Sequence, residues 1–194
     1  MNFNELVKIR QSVREYLPLP VEREKIERCL EAARLAPSAC NSQPWKFIVV
    51  DEPELKTKIA ETTFSKLVAT NRFTLEAPAF IVITSERPKI LVTLGSIKQN
   101  NQLNLIDLGI AAEHICLQAA EEGLGSCILG WFNEHRVKQL LQIPGLKRVH
   151  LIISLGYPKS GHIREKIRKD FNQIVSLSKF YLEINTKKLT IIDY

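Results

Sequence analysis

The chain is poor in the residues that mark several protein classes. It has four cysteines in 194 residues (Cys29, Cys40, Cys116 and Cys127), and no two are spaced as CxxC. That excludes a disulfide scaffold and the usual zinc patterns, and it predicts reduced thiols in a cytosol. No run of about 18 uncharged apolar residues occurs, so no membrane span is expected. The opening segment MNFNELVKIRQSVREY has no apolar stretch followed by small residues, and it does not read as a secretory signal. GxSxG, HExxH and P-loop signatures are absent. Repeats, low-complexity tracts and Gly/Ser linkers are absent too, so no domain boundary is visible.

What is present is ordinary for a folded domain. Hydrophobic residues make up 45% and charged residues 25%. The length suits one domain with a sizeable core. The net charge of +6 is concentrated toward the C-terminus, without aromatic-interleaved basic motifs. An anionic small ligand or a solvated surface explains it better than nucleic acid.

Periodicity places the elements. Asn2–Arg10 reads as a short helix, and residues 11–17 as extended chain. A second helix runs from Pro20 to the Pro37 stop. SACNSQP is a loop. Strands are expected at Trp45–Val50, Ala79–Thr84, Ser126–Leu129 and Val149–Leu155. A helix is expected from Glu54 to about Thr70, and one capped by Asn133 to about Gln142. Asn104–Glu122 is a long helix rich in small residues, suited to a central, closely packed position, with Gly123 and Gly125 at its C-cap. KKLTIIDY in the tail is a possible fifth strand or arm. The mixture lacks strict βαβ alternation and predicts an α+β sheet flanked by helices.

Several segments carry polar side chains in suggestive patterns. In extended chain, Arg10, Ser12 and Arg14 share one side at ~6.6 Å steps. Two guanidiniums and a hydroxyll on one side suit a phosphate-bearing ligand, although RxSxR is also common on solvated edges. Pro37-Ser38-Ala39-Cys40-Asn41-Ser42-Gln43 offers donors and acceptors between a helix and a buried strand, which suits the edge of a planar heterocycle or simply a polar turn. Gly123–Gly130 is not a dinucleotide fingerprint, because it follows a helix. It reads instead as cap, strand, then Gly130, where something can approach the backbone. Arg164, Lys166, Arg168 and Lys169 could close over an anion. His114, Cys40 and Asp107 receive no catalytic role.

Taken in order, RQSVREY, APSACNSQPWKFIVV, EAPAFIVI, DLGIAAEHICLQAAEEGLGSCILG and LGYP…IRKDFNQIV resemble the nitroreductase family of FMN-dependent oxidoreductases. The resemblance covers about residues 3–175. It implies a nitroreductase-like α+β fold: a mostly antiparallel central sheet flanked by helices, in one domain over 1–194. About 176–194 would be a C-terminal arm. It also implies an intertwined, cytoplasmic homodimer with non-covalent FMN at the interface and NAD(P)H as electron donor.

By the same resemblance, Arg10 and Ser12 are ligands of the phosphate and ribityl chain. Arg14 is the cation on the N1/O2 side of the flavin. Pro37, Ser38 and Asn41, with Gln43 as a weaker match, form the loop that reaches the partner's flavin. Leu129 and Gly130 lie beside flavin N5, and Arg168 and Lys169 are C-terminal phosphate ligands. No side-chain acid, base or metal is required. The implied activity is ping-pong reduction of nitroaromatics, quinones or similar small acceptors. Reductive dehalogenation, ring oxidation and a non-catalytic flavin-binding or redox-sensing module are the alternatives.

Overall fold

The computed structural model describes residues 1–65, 69–86 and 102–177. The chain divides into two compact units, Met1–Ile163 and Arg164–Tyr194. The possible tail strand and most of the uncertain stretch 85–103 lie outside the described residues.

The first unit is built on a four-stranded sheet. Its strands are β1 (Trp45–Val50), β2 (Ala79–Ser85), β3 (Gly125–Leu129) and β4 (Arg148–Gly156), in the order β1-β2-β4-β3 with every pairing antiparallel. Among the described residues, its α-helices are α1 (Phe3–Ile9), α2 (Arg23–Arg34), α3 (Pro53–Glu61), α4 (Leu103–Glu121) and α5 (Glu134–Leu140). This is the mostly antiparallel α+β arrangement expected from the sequence.

The central strand β2 explains the two-layered core. Its residues Ala79–Thr84 are all buried. Successive side chains point to opposite faces. Ala79, Ile81 and Ile83 join Ile153 and Leu155 under α2 and α4. Phe80 and Val82 join Val50, Ile59, Val137 and Ile152 on the other face. A strand covered on both faces therefore reads as a continuous apolar run.

Helix α4 lies in the first of these layers. Its buried residues are Asp107, Leu108, Ala111, Ala112, Ile115, Cys116 and Ala119. The alanines permit close approach by α2, which buries Ile26, Cys29 and Ala33. Burial pushes the Cys116 thiol up to about 11 and the Cys29 thiol to about 12, which keeps both protonated and inert. The His114 ring lies 3.0 Å from the Ala32 carbonyl through Nδ1, the satisfied helix histidine expected.

Several helix boundaries differ from the sequence reading, three of them instructively. α2 begins at Arg23, because Glu22 is still extended and its carboxylate accepts from the Tyr157 hydroxyl at 2.6 and 2.8 Å. α3 stops at Glu61, well before Thr70. The hydroxyls of Thr62 and Thr63 donate back to the Ile59 and Ala60 carbonyls and close the last turn. α5 ends at Leu140, and Gln142 takes φ +53°. Its start is as expected, with Asn133 Oδ1 accepting from the Arg136 amide at 3.0 Å.

Among the described residues of the second unit, Phe171–Ile174 form one helical turn, α6, closed by a reciprocal capping box between Asp170 and Gln173.

Candidate functional site

The chain from Arg10 to Tyr16 has no apolar periodicity of its own, yet it is held extended by the body of the first unit. Ser12 bridges Ser126 in parallel, and the Val13 amide donates to the Ser126 carbonyl at 2.9 Å. Four residues on, Tyr16 bridges Pro158, and the Leu17 amide donates to the Tyr157 carbonyl at 2.8 Å. Tyr16 is the anchor. It is 1% exposed, its hydroxyl donates to the Val13 carbonyl at 3.0 Å, and it pairs with Ser154 Oγ at 2.9 Å. Burial pushes its pKa well above the ordinary tyrosine value, so the phenol stays protonated and keeps its donor.

Two glycines make room for this segment. At Gly125 a Cβ would meet Val13 at 2.6 Å; at Gly156 it would meet Pro78 at 2.4 Å and Tyr16 at 3.0 Å. Both therefore act through close approach. The sequence reading put Gly125 at the helix C-cap, but only Gly123, at φ +73°, serves there; Gly125 opens β3.

The docked segment sets out the candidate side chains. Arg10 is half-buried, and its Nε lies 3.2 Å from Glu113 on α4. Ser12 is half-buried at the Ser126 bridge, and Arg14 is exposed. Gln11 donates through Nε2 to the His162 carbonyl at 2.9 Å, while Val13 packs on Gly125. Arg10, Gln11, Val13 and Leu124 line a cavity of about 130 Å³. It is far smaller than the ~300–1,000 Å³ of usual ligand pockets.

The far end of β3 supplies the next pair. Leu129 is buried and paired with Ile152, three residues beyond Ser126, or ~10 Å along the strand. Gly130 follows, exposed, and a Cβ there would meet nothing within 4 Å. The open space suits a ligand approaching the backbone. Trp131 next to it is 47% exposed.

The polar loop is anchored at a different point on α4. Ala39–Asn41 forms a single 3-10 turn. Cys40, Asn41 and Gln43 all have positive φ, at 52°, 50° and 47°. Each such non-glycine residue costs about 1–2 kcal/mol, so the loop needs ties. The Gln43 amide donates to Ser38 Oγ at 3.0 Å, and Gln43 Nε2 donates to Asn41 Oδ1 at 3.0 Å. The Ala39 amide donates to Asp107 on α4, at 3.1 and 3.2 Å from its two oxygens. Pro37 is exposed before the loop, and Trp45 after it is buried, as expected of a core residue.

Asp107 and Glu113 stand six residues apart on α4, about 9 Å along its axis. One helix thus fixes both the loop and Arg10. Arg168 and Lys169 belong to the second unit. Both are exposed just before α6, and Arg168 Nη1 donates to the Ile167 carbonyl at 2.8 Å.

Sequence reasoning missed Tyr16, Gly156 and Asp107. Tyr16 and Gly156 lacked any local signal. Asp107 carried one: a carboxylate at helical spacing with the apolar Ala111 and Ile115.

As a test of fit, the first unit offers two guanidiniums and a hydroxyl on one extended segment, with an unobstructed glycine at the neighbouring strand end. These fit the anionic and planar parts of a nucleotide-like ligand. Among the described residues, no helix is long and apolar enough to cross a membrane.

Comparison with known proteins agrees with this architecture. A model described as the nitroreductase family matches residues 7–157. The solved structure of an FMN-dependent nitroreductase from Clostridium difficile R20291 superposes with a TM-score of 0.72 at 31% identity, covering 90% of this chain and 98% of that one. An oxygen-insensitive NADPH nitroreductase of Helicobacter acinonychis is 29% identical over 184 residues, covering 79% of this chain and 85% of that protein. An iodotyrosine deiodinase of Drosophila melanogaster is 27% identical over 195 residues, covering 88% of this chain and 68% of that protein.

Proposed function

Because the chain belongs to the nitroreductase family, we propose that it is an FMN-dependent oxidoreductase. It takes electrons from NAD(P)H and passes them to nitroaromatics, quinones or similar small acceptors. The observation that carries this reading is the Arg10–Arg14 segment, locked along β3 by the Ser126 bridge and the Tyr16 anchor.

FMN, when bound, supplies the two-electron centre. The protein's own residues bind and tune. Arg10 and Ser12 hold the phosphate and ribityl chain. That phosphate carries nearly two negative charges at neutral pH, which suits the Arg10 guanidinium. Arg14 presents a cation to the N1/O2 side of the ring. Its charge favours electron density gained there, most strongly where water is excluded. Leu129 and Gly130 offer bare backbone beside N5. Pro37, Ser38, Asn41 and Gln43 reach the flavin of a partner subunit.

The active form is a homodimer in this reading. No catalytic triad is needed, and the donor and acceptor use the same site in turn.

The likeness to an iodotyrosine deiodinase favours a second reading, in which the same flavin removes halogen from a halogenated phenol. Steady-state assays with an NAD(P)H donor decide between them. Turnover of nitro and quinone acceptors supports the first. Halide release from iodo- or bromophenols without nitro or quinone turnover supports the second.

A further inference from the structure

We infer that Asp107 is the positioning residue of the Ser38–Gln43 loop: its carboxylate holds that loop in the strained shape required to contact the flavin. The inference rests on the FMN reading for the loop's purpose, but the geometry that carries it is independent of that reading.

Asp107 is 4% exposed, in a helix whose other buried residues are apolar or cysteine. A carboxylate in such a place is costly unless it accepts hydrogen bonds. Its partners come from one source. Both oxygens accept from the Ala39 amide, at 3.1 and 3.2 Å, and Oδ2 lies 3.5 Å from Ser42 Oγ. Two non-glycine residues at positive φ, Cys40 and Asn41, lie between these contacts, and a third, Gln43, follows directly. Such strain persists only where the surroundings over-determine it, and it gathers at ligand-contacting segments. A glycine loop would reach the same angles without strain but would not stay in them. Here the chain keeps Cys40, Asn41 and Gln43 and fixes their backbone from outside. The internal ties, Gln43 to Ser38 and to Asn41, shape the turn but do not attach it to the body. Asp107 does, and it does so from the helix whose Glu113 also holds Arg10. A shift of the loop on α4 would misplace Ser38 and Asn41 together.

The test combines hydrogen exchange of the flavin-free protein with FMN titration, comparing Asp107→Ala and Asp107→Asn with the parent. Asp107→Ala removes the acceptor. Asp107→Asn keeps one oxygen for the Ala39 amide and an amide group that can donate to Ser42. If the alanine cavity prevents folding, Asp107→Leu fills the space without restoring an acceptor. The expected result is that Ala or Leu speeds exchange in the 38–44 peptide on the order of tenfold, with β2 and β4 peptides unchanged. FMN dissociation constants should rise on the same order, and Asn should restore most of both. Unchanged exchange at 38–44 would overturn the inference. So would acceleration spread equally over the sheet, or a loosened loop with parental FMN affinity. If the parent takes up no FMN, the proposed function fails instead, and the exchange pattern alone decides whether Asp107 positions the loop.

Discussion

Gly125 lies so close to Val13 that a Cβ at position 125 would stand 2.6 Å from a Val13 methyl and 2.7 Å from the Val13 Cβ. Real side chains do not approach so closely, and the Val13 Cβ cannot swing aside. Gly125→Ala is therefore expected to push the Arg10–Arg14 segment off β3. Over-packing of this kind costs about 1–3 kcal/mol. Thermal unfolding should fall by roughly 2–4 °C per kcal/mol at this chain length, and FMN retention should fall with it. Parental stability and retention in the variant would show that the segment does not depend on this contact.

Tyr16 fixes the same segment from its other end. Tyr16→Phe keeps the ring but removes the hydroxyl shared by the Val13 carbonyl and Ser154 Oγ. Leaving buried polar atoms without this partner costs about 1–3 kcal/mol. Denaturant midpoints measure the loss. A variant as stable as the parent would mean that ring packing alone holds the segment.

Arg10 and Arg14 should separate in their effects. Arg10→Ala removes a charge-assisted phosphate contact, and FMN affinity is expected to fall about 10–100-fold. Arg14→Ala is expected to lower the flavin potential and slow turnover while FMN stays bound. Fluorescence titration reads the first effect and spectroelectrochemistry the second. An unchanged potential in Arg14→Ala would remove its tuning role.

His150 gives stability a dependence on acid. Its Nε2 lies 2.9 Å from Ser85 Oγ. Burial, and secondarily the Arg148 charge, hold its pKa below the ordinary 6.5, against an opposing pull from Glu134. The folded state thus binds this proton less readily than the unfolded chain. The histidine's contribution is complete above about pH 6.5 and is lost as pH falls through the lowered value. His150→Gln should flatten the stability curve in that window. A curve as steep as the parent's would assign the dependence to other groups.

How much of this was legible in the sequence depends on the range of the forces involved. β1 and the doubly buried run of β2 declared themselves, because burial on one or two faces writes directly into residue order. The small-residue face of α4 and the Asn133 cap were equally local signals. The misplaced starts and stops had distant or side-chain causes. Glu22 turns to Tyr157, 135 residues away, and Thr62 and Thr63 close α3 with their own hydroxyls. The site follows the same rule. RxSxR and the polar loop were visible as chemistry. Their supports were not: Asp107 meets Ala39 across 68 residues, and Tyr16 meets Ser154 across 138. No local periodicity encodes such pairs.

The most direct test of the account is the visible spectrum of the protein purified without added flavin, followed by NAD(P)H under anaerobic conditions. The account predicts flavin bands near ~450 nm that bleach on addition of the nicotinamide. A protein that is colourless and takes up no FMN would contradict it. Bound flavin that NAD(P)H leaves oxidised would contradict the proposed electron donor.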